Sequence, residues 1–193
     1  MSQNVDIVLA SASPRRKDIL EKLDINFTVH PSSVDENRFN CEDPVDLTLI
    51  LAEKKAVQVS KEYPSSIIIA ADTVVACDDN ILEKPASRSD ARDMLETLRG
   101  SHHRVITGLC VIYRQDEKFL QADTTHVEMR KFTDGELEGY LNSGEPMGKA
   151  GAYAIQGLGG LLVKKIEGSY FTVVGLPLHV LEDTLLEVGA ELL

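Results

Sequence analysis

Residues Val8 to Leu20 read VLASASPRRKDIL, and the rest of the chain is organised around this stretch. A short apolar strand is predicted to end at Ala10, and a loop of small and turn-forming residues follows. Ser13 is a good helix N-cap, and proline is favoured at the first helical position because its missing N–H would have no partner there. The stretch therefore predicts a strand, a tight loop and a helix that begins at Pro14.

The start of this predicted helix is a candidate anion site. A helix N-terminus carries roughly half a positive charge, so acidic side chains are normally preferred in its first turn. Arg15 and Arg16 stand there instead and add positive charge beside free backbone N–H groups. The arrangement favours a bound phosphate, and an ordinary strand-to-helix turn with solvated arginines is the alternative.

The amino-acid composition limits which classes of protein this chain can belong to. The chain has 193 residues, 43% hydrophobic and 26% charged, which is typical of one globular domain or two small lobes. Its 31 acidic and 20 basic residues give a net charge of −11, which disfavours non-specific binding to nucleic acid or anionic membranes. The three cysteines lack a CxxC spacing, and no segment has the ~20 apolar residues of a membrane span. We expect a cytoplasmic protein with no nucleic-acid or membrane partner.

Two acidic segments are candidates for metal binding or proton transfer. A polar loop follows the predicted strand Ile25–His30 and contains Asp35 and Glu36; a solvated acidic loop is the alternative interpretation. The run Ser66–Ala71 (SIIIAA) predicts a strand buried on both faces, and Asp72 follows it. An ionisable side chain there is costly to bury unless it is paired or metal-bound. Asp72 is therefore the carboxylate of most interest, with a turn cap at the strand end as the alternative.

Further cationic and polar side chains lie later in the chain. Asp43-Pro44 predicts the start of a helix that carries Lys55 in its middle, where a lysine is usually solvent-exposed. Lys84 follows a predicted turn. Residues 145–160 (EPMGKAGAYAIQGLGG) set Lys149 and Gln156 among five glycines, which allow a ligand to approach the backbone closely. A flexible connector is the alternative for this stretch.

The order of the remaining elements predicts the fold class. Residues His103–Tyr113 and Phe119–Phe132 predict an antiparallel pair, and Thr133 to Glu136 form a capping box before a helix. Leu161–Ile166 and Ser169–Val174 predict a second strand pair, followed by a final amphipathic helix. Strands and helices alternate in the first half and a strand pair interrupts the second half. This pattern predicts an α/β fold with a mixed central sheet and flanking helices.

The candidate residues together indicate phosphate ester chemistry. An anion site, several cationic side chains and two acidic residues, Glu36 and Asp72, could bind a polyphosphate and a divalent cation. Cleavage of a polyphosphate requires neutralisation of charge on the leaving group and a base or metal that prepares the attacking water. No arrangement of serine, cysteine or histidine nucleophiles has comparable support.

The sequence resembles the Maf family of nucleoside triphosphate pyrophosphatases in six fragments that occur in the family's order: LASASPRR, SSVDE, AADTVV, EKP, EPMGKAGAYAIQG and GSYFTVVGLPL. The match covers nearly the whole chain, so the resemblance implies a single Maf-like domain over 1–193. It implies two lobes around a cleft, in an inosine triphosphatase-like α/β fold. It also implies hydrolysis of a nucleoside triphosphate to monophosphate and pyrophosphate and dependence on Mg²⁺ or Mn²⁺. Homodimers occur in the family, so a homodimer is one candidate assembly.

The resemblance assigns roles to individual residues. Asp72 matches the proton acceptor of the family, and Glu36 matches an acidic residue near the metal, so both are expected to bind the cation. Phosphate-side positions are matched by Ser11, Arg16, Lys55 and Lys84.

Three matched positions concern substrate choice. Arg15, Thr73 and Gln156 have the identities of the branch that prefers dTTP and UTP, as opposed to the branch acting on 7-methyl-GTP. Lys149 is a candidate for an additional substrate contact. Glu83 and Gly148 depart from the family pattern, which commonly has glycine and an acidic residue there.

The leading hypothesis is a metal-dependent hydrolase that cleaves the α–β phosphoanhydride of dTTP, UTP or modified pyrimidine nucleotides. The alternative is a regulatory nucleotide-binding protein without significant turnover, because the family was named for effects on septum formation. Release of pyrophosphate would distinguish the two.

Overall fold

A computed structural model of the protein describes residues 6–39, 41–114 and 117–190. The strands are Ile7–Leu9 (β1), Phe27–Val29 (β2), Ile67–Cys77 (β3), Asn80–Leu82 (β4), His102–Tyr113 (β5), Glu117–Met129 (β6) and Val163–Glu167 (β7). The α-helices are Pro14–Lys22 (α1), Pro44–Ser60 (α2), Arg88–Leu98 (α3), Asp134–Asn142 (α4), Tyr170–Val174 (α5) and Leu178–Glu187 (α6). Short 3₁₀ turns occur at Glu36–Arg38, Ala150–Ala152 and Leu158–Leu162.

Within the described residues, the seven strands form one mixed sheet. The strand order is β2-β1-β3-β5-β6-β7, and β4 pairs with β3 outside this path. β1 runs parallel to both β2 and β3, whereas the pairs β3–β4 and β6–β7 are antiparallel. The predicted fold class, a mixed central sheet with flanking helices, is confirmed. The predicted pairing of β5 with β6 is also confirmed, although residues 115–116 between them lie outside the described residues.

The chain divides into two compact units, in agreement with the two lobes predicted from the resemblance. The first contains the described residues of Met1–Asp72, Thr107–Asp123 and Gly175–Leu193. In its core, small side chains on α2 pack against strand residues of β1, β3 and β5. The members are Val8, Ala10, Ala52, Ala56, Val59, Ile68, Ala70, Cys110 and Ile112. Alanines on the inner face of α2 let the helix approach the sheet closely.

The second unit contains Thr73–Ile106 and Thr124–Val174. Its core is built by α3 and α4 together with β5, β6 and the segment that follows α4. Large members of this core are Leu95, Leu98, Met129, Phe132, Leu137 and Tyr140. The predicted cleft and the single domain over 1–193 stay predictions.

Helix starts follow the local sequence closely. Ser13 is the N-cap of α1 with an extended backbone, as predicted, but its side chain makes no capping hydrogen bond. Asp43 caps α2 by accepting from the backbone N–H groups of Val45 and Asp46 at 2.7 and 3.1 Å. The capping box predicted at the start of α4 is present in full. These starts are local because one side chain satisfies N–H groups two or three residues away.

One predicted strand was confirmed but ends later than expected, and another predicted strand is a helix. The predicted strand Ser66–Ala71 continues as β3 to Cys77, so Asp72 lies inside the strand instead of after its end. The segment Ser169–Val174 was predicted as a strand but forms the short helix α5. Gly168 has a φ of +129°, which turns the chain away from β7, and the Ser169 carbonyl then accepts from Val173 N–H. β7 pairs with β6 instead, so it needs no partner from this segment.

Among the described residues, no helix is long and apolar enough to cross a membrane.

Candidate active site

An ammonium group between two carboxylates forms the centre of the candidate site in the first unit. Lys55 on α2 donates to Asp72 Oδ1 at 2.5 Å, and its Nζ lies 2.7 Å from Glu36 Oε1. The side chains of Lys55 and Asp72 are only 8% and 9% exposed, and that of Glu36 is 36% exposed. Lys55 therefore differs from the solvated mid-helix lysine that its position in the sequence suggests. A buried charge is retained where partners neutralise it, as these two carboxylates do.

Arg16 adds a second buried cation. Its Nε donates to the Gly175 carbonyl at 2.6 Å, and one terminal nitrogen donates to Ser11 Oγ at 3.1 Å. Burial lowers the pKa of the guanidinium, and the charges of Asp72 and Glu36 oppose this shift. The structure thus brings together most of the residues that the sequence assigned to phosphate and metal binding in this unit. Arg15 stands half-buried beside them in the first turn of α1.

The charge balance of this cluster bears on its ligands. Three cations (Arg15, Arg16 and Lys55) and two carboxylates (Glu36 and Asp72) leave a formal charge of only +1. A polyphosphate carries several negative charges, so further cations are needed to bind it. The donor set fits a hard divalent cation, because both carboxylates already converge on one positive centre and oxygen ligands are what Mg²⁺ prefers.

The protein would supply only part of a metal coordination shell. Within the described residues, no group of three or more His, Cys, Asp or Glu side chains could hold a metal ion by itself. Mg²⁺ is commonly bound by one or two carboxylates together with substrate phosphates and water. Glu36 and Asp72 meet that requirement.

The remaining predicted site residues belong to the second unit. Thr73 follows Asp72 on β3, and Lys84 is exposed in the loop after β4. The backbone N–H of Gly151 donates to the Glu83 carbonyl at 3.2 Å, which ties the loop carrying Lys84 to the glycine-rich stretch. Gly151 has a φ of +63°, and a Cβ there would lie 2.9 Å from Val75. Only glycine allows this approach without strain.

The glycine-rich stretch is ordered by specific contacts and is not a flexible connector. Lys149 Nζ donates to the Glu145 carbonyl. Gln156 is exposed and lies in a turn closed by a hydrogen bond from Gly157 N–H to the Ala154 carbonyl at 3.3 Å. Sequence reasoning missed Glu145 and Tyr140, which contact this turn. The signal that could have found them is the pair of glycines at 157 and 159, which leaves room for a neighbouring side chain.

Comparison with known proteins supplies the family. The family model described as "Maf-like protein" matches residues 6–188. The chain belongs to the Maf family. The resemblance seen in the sequence is therefore confirmed over nearly the whole chain. Most of the candidate site residues identified above stand in the motifs that carried the resemblance.

Curated relatives in the Maf family bear one name repeatedly. A dTTP/UTP pyrophosphatase of Clostridioides difficile is 43% identical over 94% of each chain. One from Halalkalibacterium halodurans is 46% identical over 89% of this chain and 90% of that protein. Among solved structures, a nucleoside-triphosphatase (dITP/XTP pyrophosphatase) from Mycobacterium abscessus covers 66% of this chain and 76% of its own. It is 13% identical with a TM-score of 0.44.

Proposed function

We propose that the protein is a metal-dependent nucleoside triphosphate pyrophosphatase that converts dTTP and UTP, and modified pyrimidine nucleotides, to the monophosphate and pyrophosphate. The observation that carries the proposal is the contact of buried Lys55 with buried Asp72 and partly exposed Glu36, in a family whose curated relatives are named dTTP/UTP pyrophosphatases. Action in the cytoplasm and a homodimer stay predictions from the sequence.

Asp72 is the proposed proton acceptor. Hydrolysis needs a group that takes a proton from water as it attacks the α–β phosphoanhydride, and a carboxylate held in place by other side chains can do this. Lys55 fixes the Asp72 carboxylate through the 2.5 Å contact with Oδ1. Asp72 lies inside β3, a rigid element, which keeps the base at a fixed position.

The cationic side chains bind the polyphosphate. Arg16 is already held by hydrogen bonds to Gly175 and Ser11. Binding of a phosphate to Arg16 therefore costs little additional side-chain entropy. Arg15, Lys55 and Lys84 add positive charge. A divalent cation held by Glu36 and Asp72 would supply further charge neutralisation on the phosphates and the pyrophosphate leaving group.

Choice of base is assigned to Gln156, with Arg15 and Thr73. Uracil and thymine present an N3–H donor beside carbonyl acceptors, and an amide side chain offers both an acceptor and donors. Gln156 can therefore pair with two adjacent groups of a pyrimidine base. Lys149 is proposed as an additional substrate contact.

Pyrophosphate release tests the proposal. Purified protein is incubated with dTTP, UTP, CTP, dGTP and 7-methyl-GTP in the presence of Mg²⁺ or Mn²⁺, and without metal. The proposal expects turnover that requires the metal and is fastest for dTTP and UTP. Tight nucleotide binding without product in every sample would support the regulatory alternative.

A further inference from the structure

A turn of four residues, Ala154 to Gly157, carries Gln156 in the second unit. It is closed by the hydrogen bond from Gly157 N–H to the Ala154 carbonyl. An isolated turn of this kind samples several conformations, because one weak hydrogen bond does not offset the entropy of fixing its residues. A side chain that must recognise a base therefore needs additional contacts that hold its turn.

Two side chains provide these contacts on both sides of the turn. Before it, the backbone N–H of Ala154 donates to the Tyr140 hydroxyl at 3.3 Å. After it, Leu158 N–H donates to Glu145 Oε2 and Gly159 N–H donates to Glu145 Oε1, both at 2.9 Å. The Tyr140 hydroxyl donates to Glu145 Oε1 at 3.0 Å and joins the two sides. We call this pair, Tyr140 with Glu145, the turn clamp.

The electrostatics of the turn clamp match this arrangement. Partial burial disfavours the ionised form of Glu145, but the hydrogen bonds from Gly159, Leu158 and Tyr140 outweigh it and lower the pKa of the carboxyl. Burial and the nearby Glu145 charge raise the pKa of the Tyr140 hydroxyl. The carboxylate therefore accepts and the hydroxyl donates at neutral pH.

One glycine at the end of the turn and one after it make room for the clamp. A Cβ at Gly157 would overlap the Glu145 carboxylate, and one at Gly159 would lie 2.7 Å from the Tyr140 hydroxyl oxygen. Real Cβ atoms essentially never approach so closely. Glycine is therefore needed at positions 157 and 159, because the Glu145 and Tyr140 side chains approach the backbone closely there.

We propose that Glu145 and Tyr140 are positioning residues that fix the turn carrying Gln156 and thereby set the pairing with the pyrimidine base. This inference rests on the proposed function. It deepens it by adding two residues that act through Gln156 and have no role in proton transfer or phosphate binding.

A double-mutant cycle tests the inference. Glu145→Gln keeps the size of the side chain but places an amide NH₂ against at least one backbone or hydroxyl donor. Loss of a charge-assisted hydrogen bond of this kind is expected to lower kcat/KM for UTP about tenfold. Tyr140→Phe keeps the ring in the core and should have a similar effect. In a Gln156→Ala background, Glu145→Gln should cause less than about twofold further loss, because coupled residues are non-additive.

A matched control and an exchange measurement separate positioning from general damage. Glu138→Gln changes the same residue type on α4, where Glu138 pairs with Arg88 at the surface, and should leave turnover unchanged. Backbone amide exchange at Leu158 and Gly159 should accelerate in Glu145→Gln and not in the control.

The remaining outcomes refute either the positioning inference or the proposed function. Equal losses from Glu145→Gln with and without Gln156 would refute the inference, and so would unchanged UTP turnover in Glu145→Gln. If the wild-type enzyme is active and Gln156→Ala leaves its kcat/KM for UTP unchanged, the inference is also refuted. The pyrophosphatase proposal would then stand. A wild-type protein that releases no pyrophosphate from any nucleotide would refute the proposed function itself.

Discussion

The substitution Asp72→Asn keeps the size of a side chain that is only 9% exposed, but removes its negative charge and its capacity to accept a proton. The asparagine Oδ1 can still accept from Lys55, whose ammonium also keeps its contact with Glu36 at 2.7 Å. The loss of one charge at this bond should therefore lower the free energy of unfolding by only roughly 1–2 kcal/mol. The fold is expected to persist.

The effect on turnover should be much larger. Loss of a general base lowers the rate about 10²- to 10⁴-fold, and loss of a metal ligand would add to this. The assay is pyrophosphate release at saturating UTP and Mg²⁺, together with urea unfolding monitored by circular dichroism. Asp183→Asn, at an exposed position on α6, is the matched control and should retain full activity.

One result would refute this reasoning. If folded Asp72→Asn protein turned over UTP at a near-normal rate, Asp72 could not be the proton acceptor. Glu36, the other carboxylate on Lys55, would then become the leading candidate for this role.

Three further predictions concern the phosphate side, the base and stability. Alanine at Arg16 or Lys84 should lower kcat/KM for all nucleotides by similar factors, because these residues are assigned to phosphate; Arg15→Ala should instead change the ranking of the bases. Gln156→Glu should lose more activity on UTP than on 7-methyl-GTP, because a carboxylate cannot donate to a uracil carbonyl and an unpaired polar group costs roughly 1–3 kcal/mol. Burial, with a smaller contribution from His102, lowers the pKa of His103 from 6.5 to about 4. Between those values the unfolded chain binds this proton and the folded protein does not, so the stability present above pH 6.5 should fall by about 2.5 kcal/mol at pH 4.5.

The controls for these predictions use the same assays. A nucleotide-dependent loss in Arg16→Ala or Lys84→Ala would contradict a role confined to phosphate, and an unchanged base ranking in Arg15→Ala would make that residue a plain phosphate contact. Equal losses of Gln156→Glu on both nucleotides would exclude base reading by this side chain. For His103, the fall in unfolding free energy between pH 7 and pH 4.5 is compared with that of His103→Gln, in which it should be smaller by the His103 contribution. Equal falls in both proteins would refute the assignment.

Local chemistry made much of the fold readable from the sequence. Asp43 caps α2 and Thr133 caps α4 through N–H groups a few residues away, so the helix starts needed no knowledge of distant contacts. The apolar run before Asp72 predicted a buried strand because continuous apolar sequence fits an element covered on both faces. The family motifs predicted most of the candidate site residues one at a time.

Tertiary structure alone decided how those residues act together. β3 passes through Asp72 to Cys77, where Val75 to Cys77 pair with β4 and the strand also has β5 as a neighbour; a strand pattern by itself does not specify such pairing. The same holds for Ser169–Val174: β7 pairs with β6, and after the turn at Gly168 this segment forms α5. Lys55 lies 17 residues before Asp72, and only packing of α2 against the sheet places its ammonium between two carboxylates. Sequence patterns record each residue's local preference, whereas burial and charge pairing arise between residues far apart in the chain, so the folded structure had to supply the geometry of this site.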